Sequence, residues 1–366
     1  MSKIAAKPAL LGFDRAGLTD LLVGLGGKPF HAKQVLKWLH ARGSNDVRAM
    51  TDIATHIREK LATDYVIGEP QVLEHFESAD GTRKWLLDAG GGQAIEMVFI
   101  PEPARRTLCI SSQVGCALDC SFCSTGAQGF NRNLTTAEII GQVWLANREL
   151  AHSGEQRVTN VVFMGMGEPL ANYRQLVPAL NLLTDDFAYM FSRRRVTVST
   201  SGLVPQLEKL GHDANVALAV SMHAPNDALR NQLVPINNRH PISELLPACW
   251  DYLRRTSGRS VTFEYTMIHG VNDQVEHARE LARLLKGQPA KVNLIPYNPF
   301  AGNPMKRSSA ATIRKFRDVL HHADIRATIR KTRGDDIDAA CGQLAGQVND
   351  RTTVRLGRKN FHVVTA

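Results

Sequence analysis

The chain has 366 residues, 43% of them hydrophobic and none in low-complexity tracts, so it can bury a barrel-sized core plus a smaller one. Up to Phe13 there are two lysines and only a brief apolar run, and no later stretch approaches the ~20 apolar residues of a bilayer span, so neither secretion nor membrane insertion is expected and a cytoplasmic location is. A net charge of +9 suits a phosphate-rich partner, and six cysteines without a secretory context point to metal ligation or redox chemistry instead of structural disulfides.

In chain order, residues 1 to about 65 read as short helices. Phe30, Val35, Leu36, Trp38 and Leu39 form one apolar face, and Ile53, Ile57 and Leu61 recur at helical spacing. From about 70 to 100 the period shortens to two. Asp80-Gly81 between Val72–Phe76 and Trp85–Leu87 signals a hairpin, and Ile95–Ile100 follows Gly90-Gly91-Gly92, giving a small β-meander grouped with the helices before it.

After residue 105, strands and helices alternate. Strand-like runs fall at Thr107–Ser112, Val158–Met164, Val196–Thr200, Val216–Met222, Val261–Ile268, Val292–Pro296 and Ile325–Ile329. Helical patterns fall at Thr136–Leu150, Tyr173–Thr184, Val204–Leu210, Ile242–Arg255, Val275–Lys286 and Thr312–His322, the first opened by a capping box, Thr135-x-x-Glu138. This pattern predicts an α/β fold: a partial or full βα barrel whose chemistry gathers at the C-terminal ends of the strands. The expected organisation is an accessory domain of helices and β-meander over 1–100, the barrel over 101–345 and a basic extension over 346–366. Basic clusters at Arg193–Arg195, at Arg326, Arg330, Lys331 and Arg333, and at Arg351, Arg355, Arg358 and Lys359 jointly favour a nucleic acid.

Cys116, Cys120 and Cys123 follow the first barrel strand at C-x3-C-x2-C spacing, which brings three soft thiolates to one loop. Three protein ligands on a [4Fe–4S] cubane leave one iron open, where S-adenosylmethionine (SAM) can chelate and be cleaved by one electron. A zinc knot completed by a fourth ligand elsewhere, or unliganded thiols, is the alternative.

Polar groups recur at strand ends. Gly165-Met166-Gly167-Glu168 would let backbone carbonyls, with Glu168 nearby, receive the SAM ammonium. Ser199-Thr200-Ser201, Ser221-Met222-His223 and Asn298 occupy equivalent places, although His223 taken singly reads as a structural histidine. Gly342 allows a sharp turn that would expose Cys341, whereas Cys249 reads as core. Glu96 breaks an apolar strand, either facing solvent or, if turned to the barrel mouth, available as a general base.

The segments 109–116, 165–170, 221–226, 297–300 and 330–342 together closely resemble the RlmN family of radical SAM RNA methyltransferases, and the resemblance runs from about residue 13 to the C-terminal region. It implies a barrel of radical SAM type, methylation of C2 of adenine in 23S rRNA and tRNA (at anticodon-loop position ~37), one [4Fe–4S] cluster and two SAM molecules per turnover. It also assigns roles. Cys341 becomes an S-methylcysteine, a 5′-deoxyadenosyl radical takes hydrogen from that methyl group, and the resulting carbon radical adds to C2. Glu96 removes the C2 proton, and Cys109 resolves the adduct through a transient disulfide with Cys341. SAM contacts map to Gly167, Glu168, Ser199, Ser221, Met222, His223 and Asn298. Met222 stands where family members often carry Leu, a change without expected consequence. An electron donor such as flavodoxin or ferredoxin and a monomeric state are expected. A Cfr-like enzyme methylating C8 is the close alternative, and a non-catalytic metal-stabilised RNA-binding protein is the alternative of a different class.

Overall fold

A computed structural model describes residues 7–352. Three helices, α1 (Arg15–Gly24), α2 (His31–Leu36) and α3 (Thr55–Asp64), open the chain. Asp14 caps α1 by accepting the Gly17 N–H at 3.0 Å. Leu18 and Leu22, Val35, Leu36 and Leu39, and Ile57 and Leu61 are buried at helical spacing. Phe30, expected on that face, is instead 52% exposed, because it precedes α2 at the cap. The indole of Trp144 ties these helices to the barrel by donating to the Leu39 carbonyl at 2.9 Å.

The strands β1 (Val72–Glu77), β2 (Arg83–Gly90) and β3 (Gln93–Glu102) form the expected meander. It does not belong with the helices, however. β3 pairs antiparallel with β4 (Arg105–Cys109), so the meander continues the barrel sheet, and the boundary expected at residue 100 falls inside β3. The reason is local: the turn after Glu102 is tight, and a short turn leaves consecutive strands paired.

A two-stranded ribbon of β5 (Gln113–Gly115) and β6 (Phe130–Asn133) brackets α4 (Ser124–Ala127), none of which the periodicity signalled. Beyond it the alternation runs as expected except for α8, a short helix the periodicity did not signal: α5 (Thr136–His152), β7 (Asn160–Phe163), α6 (Tyr173–Thr184), β8 (Val196–Thr200), α7 (Val204–Asp213), β9 (Ala217–Ser221), α8 (Asp227–Leu233), α9 (Ile242–Arg255), β10 (Val261–Met267), α10 (Val275–Leu285), β11 (Ala290–Pro296), α11 (Ala310–His322) and β12 (Arg326–Ile329). The Thr135–Glu138 capping box is present, with both reciprocal hydrogen bonds made. Strand order in the ten-stranded sheet is β1-β2-β3-β4-β7-β8-β9-β10-β11-β12, parallel from β4 onward. Neighbours in sequence are therefore neighbours in space, the order of a partial βα barrel.

The barrel seam lies between β12 and the meander, and the loop after β12 crosses it. The Asp336 carboxylate accepts the Ser78 hydroxyl at 2.6 Å, and Asp80 in the β1–β2 turn lies 3.4 Å from the Arg333 guanidinium. The chain then lays residues 343–352 as a strap along the free half of β3. Ala94 and Gln347 exchange N–H···O bonds of 2.9 and 3.0 Å, and the Arg351 N–H donates to the Phe130 carbonyl at 2.8 Å. Arg355, Arg358 and Lys359 of the last basic cluster lie outside the described residues. Among those residues, no helix is long and apolar enough to cross a membrane.

Candidate active site

The three clustered cysteines sit on the loop between β5 and α4, above the C-terminal end of β4. Asp119 takes a left-handed conformation (φ 55°) that tightens the loop, and the Cys123 N–H donates to the Cys120 carbonyl at 3.1 Å. Gly126 supports the turn closely, since a Cβ there would stand 3.2 Å from the Cys120 nitrogen. Cys116, Cys120 and Cys123 all face one cavity. Burial is the main cause that pushes each thiol up, with Cys120 reaching about 12; charge on a neighbouring cysteine adds to it for Cys116 and Cys120.

The same cavity is lined by the glycine turn after β7. A Cβ at Gly165 would meet the Ile110 carbonyl at 2.7 Å, and Gly167 (φ +96°) leaves no room beside Gln113. Glycine is required at both positions, which explains the motif physically. The turn is locked to the cysteine strand, because the Met166 carbonyl accepts the Ser112 N–H at 2.8 Å. Glu168 is buried, accepts the N–H groups of Ser201 (2.8 Å) and Leu170 (3.0 Å), and is pushed up to about 7 by that burial.

Ser199, Ser221 and His223, on or just beyond the ends of β8 and β9, also line the cavity. Met222 is fully buried and does not line it; its N–H donates to the Glu264 carbonyl at 3.0 Å and its carbonyl accepts from Arg230 at 3.2 Å. His223 (φ 54°) is buried, and burial lowers its pKa to about 3, leaving it neutral at physiological pH. Its Nδ1 accepts the Thr266 N–H at 3.0 Å, which places the proton on Nε2. Asn298 does not border this cavity; its amide donates to the Cys341 carbonyl at 3.0 Å and so holds that loop.

Arg230, on α8, was not legible in the sequence. It is fully buried and donates to the carbonyls of Met222 (3.2 Å), Ser201 (2.7 Å) and Ser221 (3.0 Å), which fixes the ends of β8 and β9 together. The sequence offered no signal for it, since no helix was expected over residues 227–233.

Cys341 reaches the same cavity from the seam loop, with Gly342 at φ +85° beside it. The Gly342 carbonyl accepts the Ser124 N–H at 2.8 Å, docking this loop on the cysteine turn. Burial pushes the Cys341 thiol up, and the Arg330 guanidinium opposes that. Cys109 lies behind it, 5% exposed and pushed up to about 12 by burial and then by the charge of Cys341. All six cysteines are free thiols, and Cys249 is buried in α9 as expected.

Glu96 faces neither solvent nor the cavity of the cysteine triplet, being 7% exposed and no part of that cavity's wall. Its Oε1 lies 3.1 Å from the Lys84 ammonium, and its Oε2 accepts the Ala345 N–H of the strap at 2.9 Å. Sequence position placed it correctly on β3; the two partners come from distant segments and were invisible.

Comparison with known proteins agrees with this geometry. The family model for the ribosomal RNA large subunit methyltransferase N-terminal domain matches residues 9–67, and the radical SAM superfamily model matches residues 110–284. The crystal structure of a radical SAM methyltransferase from Sphaerobacter thermophilus superposes with a TM-score of 0.86 and 44% identity, covering 92% of this chain and 99% of that one. A domain of a pyruvate-formate lyase-activating enzyme from Bacteroides vulgatus is far more distant, at TM-score 0.36 and 18% identity over 47% of this chain and 99% of that one. The [FeFe]-hydrogenase maturase HydG is similarly distant, at 0.43 and 15% over 64% of this chain and 54% of that one. On the first three of these matches, the chain belongs to the RlmN family of radical SAM methyltransferases.

Proposed function

We propose that this enzyme methylates C2 of adenine in 23S rRNA and in tRNA, using Cys341 as a methyl-carrying thiol, two SAM molecules per turnover and an electron donor of the flavodoxin or ferredoxin class. The supporting observation is the place of Cys341, which shares a cavity with the three cluster cysteines and has Cys109 and Arg330 behind it.

The residues fit the groups that the family uses. Cys116, Cys120 and Cys123 would hold the [4Fe–4S] cluster, since crowded, buried thiols resist ionisation unless a cationic iron core compensates them. Glu168 and the carbonyls around Gly167 suit the SAM ammonium, and Ser199, Ser221 and His223 suit its hydroxyls and adenine. When bound, cluster and SAM supply an electrophilic methyl group and a hydrogen-abstracting carbon radical.

The chain's own groups do the rest. Arg330 favours the Cys341 thiolate, the form that accepts a methyl group. Cys341 then presents this carbon to C2, and Glu96 takes the C2 proton on a carboxylate oxygen. For that, the strap must withdraw from Glu96, because Ala345 and Lys84 occupy both oxygens. The Cys109 thiolate attacks the Cys341 sulfur, the S–C bond breaks with its electron pair on the methylene carbon, and that carbon takes up a proton to become the methyl group of the released RNA. The surplus electron of the adduct would pass back to the cluster that Cys116, Cys120 and Cys123 would hold, and two-electron reduction of the Cys109–Cys341 disulfide by the external donor restores two thiols.

The test is an anaerobic reaction with SAM, a reductant and 23S rRNA fragments or tRNA, read by nucleoside mass spectrometry. The expected product is 2-methyladenosine; 8-methyladenosine, or no methylated nucleoside, would overturn the reading.

A further inference from the structure

Cys341 is exposed to two cavities. The one holding the cluster cysteines lies at the C-terminal ends of the strands. The other is a chamber of about 550 Å³ occupying the lumen towards the N-terminal ends, and it shares Met164, Glu264, Ile295, Arg330 and Cys341 with the first. Its volume falls within the range of ~300–1,000 Å³ typical of sites for nucleotide-sized ligands.

The walls of this chamber are chemically asymmetric. Its rim carries Arg194 in the turn before β8, Lys291 on β11 and Arg326 at the start of β12. Four other basic residues line the wall: Arg105 pairs with Glu102 at 3.0 Å, Arg333 pairs with Asp80 at 3.4 Å, Arg330 acts on Cys341 and Glu264, and Lys331 follows it beyond the C-terminal end of β12. The three rim cations have no acidic partner among the described residues, which leaves them available to an anion.

Deeper in the lumen stands one buried carboxyl group. Glu264, midway along β10, is 5% exposed and faces both cavities. Its hydrogen-bond partner is the Asn293 amide, at 3.3 and 3.1 Å from the two oxygens, and the Asn293 carbonyl in turn accepts the Thr328 hydroxyl at 3.3 Å. This row across β10, β11 and β12 fixes the carboxyl plane. One amide fills only part of a carboxylate's roughly four acceptor sites. A buried carboxyl with spare acceptor sites beside a reactive thiol fits a ligand that brings N–H donors.

We infer that the target nucleotide enters the barrel through its N-terminal mouth, with phosphates against Arg194, Lys291 and Arg326 and an exocyclic amino group of the base donating to Glu264. The inference rests on the RNA-methylation reading above and deepens it. RNA and SAM then reach Cys341 from opposite ends of the lumen, so a methyl group on its sulfur can be loaded from one side and delivered to the other. Glu264 is a specificity residue in this arrangement: it reads the base and takes no part in bond making.

The experiment compares two RNA hairpins, one with adenine and one with unsubstituted purine at the target position; both have a C2 hydrogen and differ only in the amino group. For the wild-type holoenzyme the expected kcat/KM preference for adenine is ~10–100-fold, the span of one hydrogen bond to a charged acceptor. Glu264→Leu should reduce that preference to within about twofold, and Glu264→Gln, which keeps an acceptor oxygen, should retain part of it. SAM affinity, measured by equilibrium dialysis, should not change in Glu264→Leu. A leucine variant that keeps the full preference overturns the inference, as does one that loses SAM affinity, since Glu264 would then serve SAM. The double variant Lys291→Glu/Arg326→Glu should raise KM for RNA at least tenfold at low salt, and an unchanged KM overturns the entry route. If the wild type methylates neither hairpin, the failure belongs to the RNA-methylation reading; wild-type activity without discrimination is the failure of this inference alone.

Discussion

Single residues set the chemistry. Under the proposed mechanism Cys341→Ala removes the methyl-carrying sulfur but none of the three proposed cluster ligands, so RNA methylation should vanish while iron and sulfide content stay at the wild-type level; methylation at a normal rate would refute the assignment. Cys109→Ala should accumulate a covalent protein–RNA adduct, visible as a shifted band on a denaturing gel, and free product without adduct would remove its resolving role. Glu168 gives a pH signature. Burial raises its pKa to about 7, and in the proposed SAM site only its ionised form would pair with the ammonium. Below that value the carboxyl must first lose a proton, so SAM affinity should rise as pH increases from 6 and level off above about 8. A flat profile for wild type would exclude this pairing. The cysteine triplet and glycine turn were legible because each function resides in a short local segment. Arg230 and Glu264 were not, because their partners lie on other strands and their roles exist only once the strand ends meet.

At the scale of elements, the strap over β3 is the piece whose motion matters most. Gly346 sits so close to β3 that a Cβ would drive into the Ala94 carbonyl and the Met166 side chain. Gly346→Ala should therefore lift the strap, and hydrogen exchange at the Ala345 and Gln347 amides should accelerate at least tenfold while the barrel amides are unaffected. Unchanged protection there would show that the strap is held elsewhere. Arg230 acts at the same scale. Arg230→Leu leaves one buried and two part-buried carbonyls without their donor, at about 1–3 kcal/mol for the buried one, so the ends of β8 and β9 should loosen and thermal stability fall with SAM affinity. The barrel strands and helices were readable from apolar runs and caps, since a buried parallel strand is apolar along its whole length. The α4 turn and the β5–β6 ribbon were not, because their order comes from the cysteine loop they support.

For the molecule as a whole, a net charge of +9 implies RNA binding driven by release of phosphate counterions. RNA affinity should fall steeply between 50 and 200 mM salt, by at least an order of magnitude, and charge reversal on the N-terminal helices should weaken binding without altering SAM cleavage. A salt-independent affinity would mean that phosphate contacts contribute little. The sequence by itself determined the βα alternation, the cysteine loop and the glycine turn, because each is written in local spacing. Only the tertiary structure decided that the meander extends the barrel sheet, that a strap covers Glu96, and that Cys341 opens onto two cavities. Those features arise from contacts between distant segments, such as the 249 positions from Glu96 to Ala345, and no local period or spacing encodes such a contact.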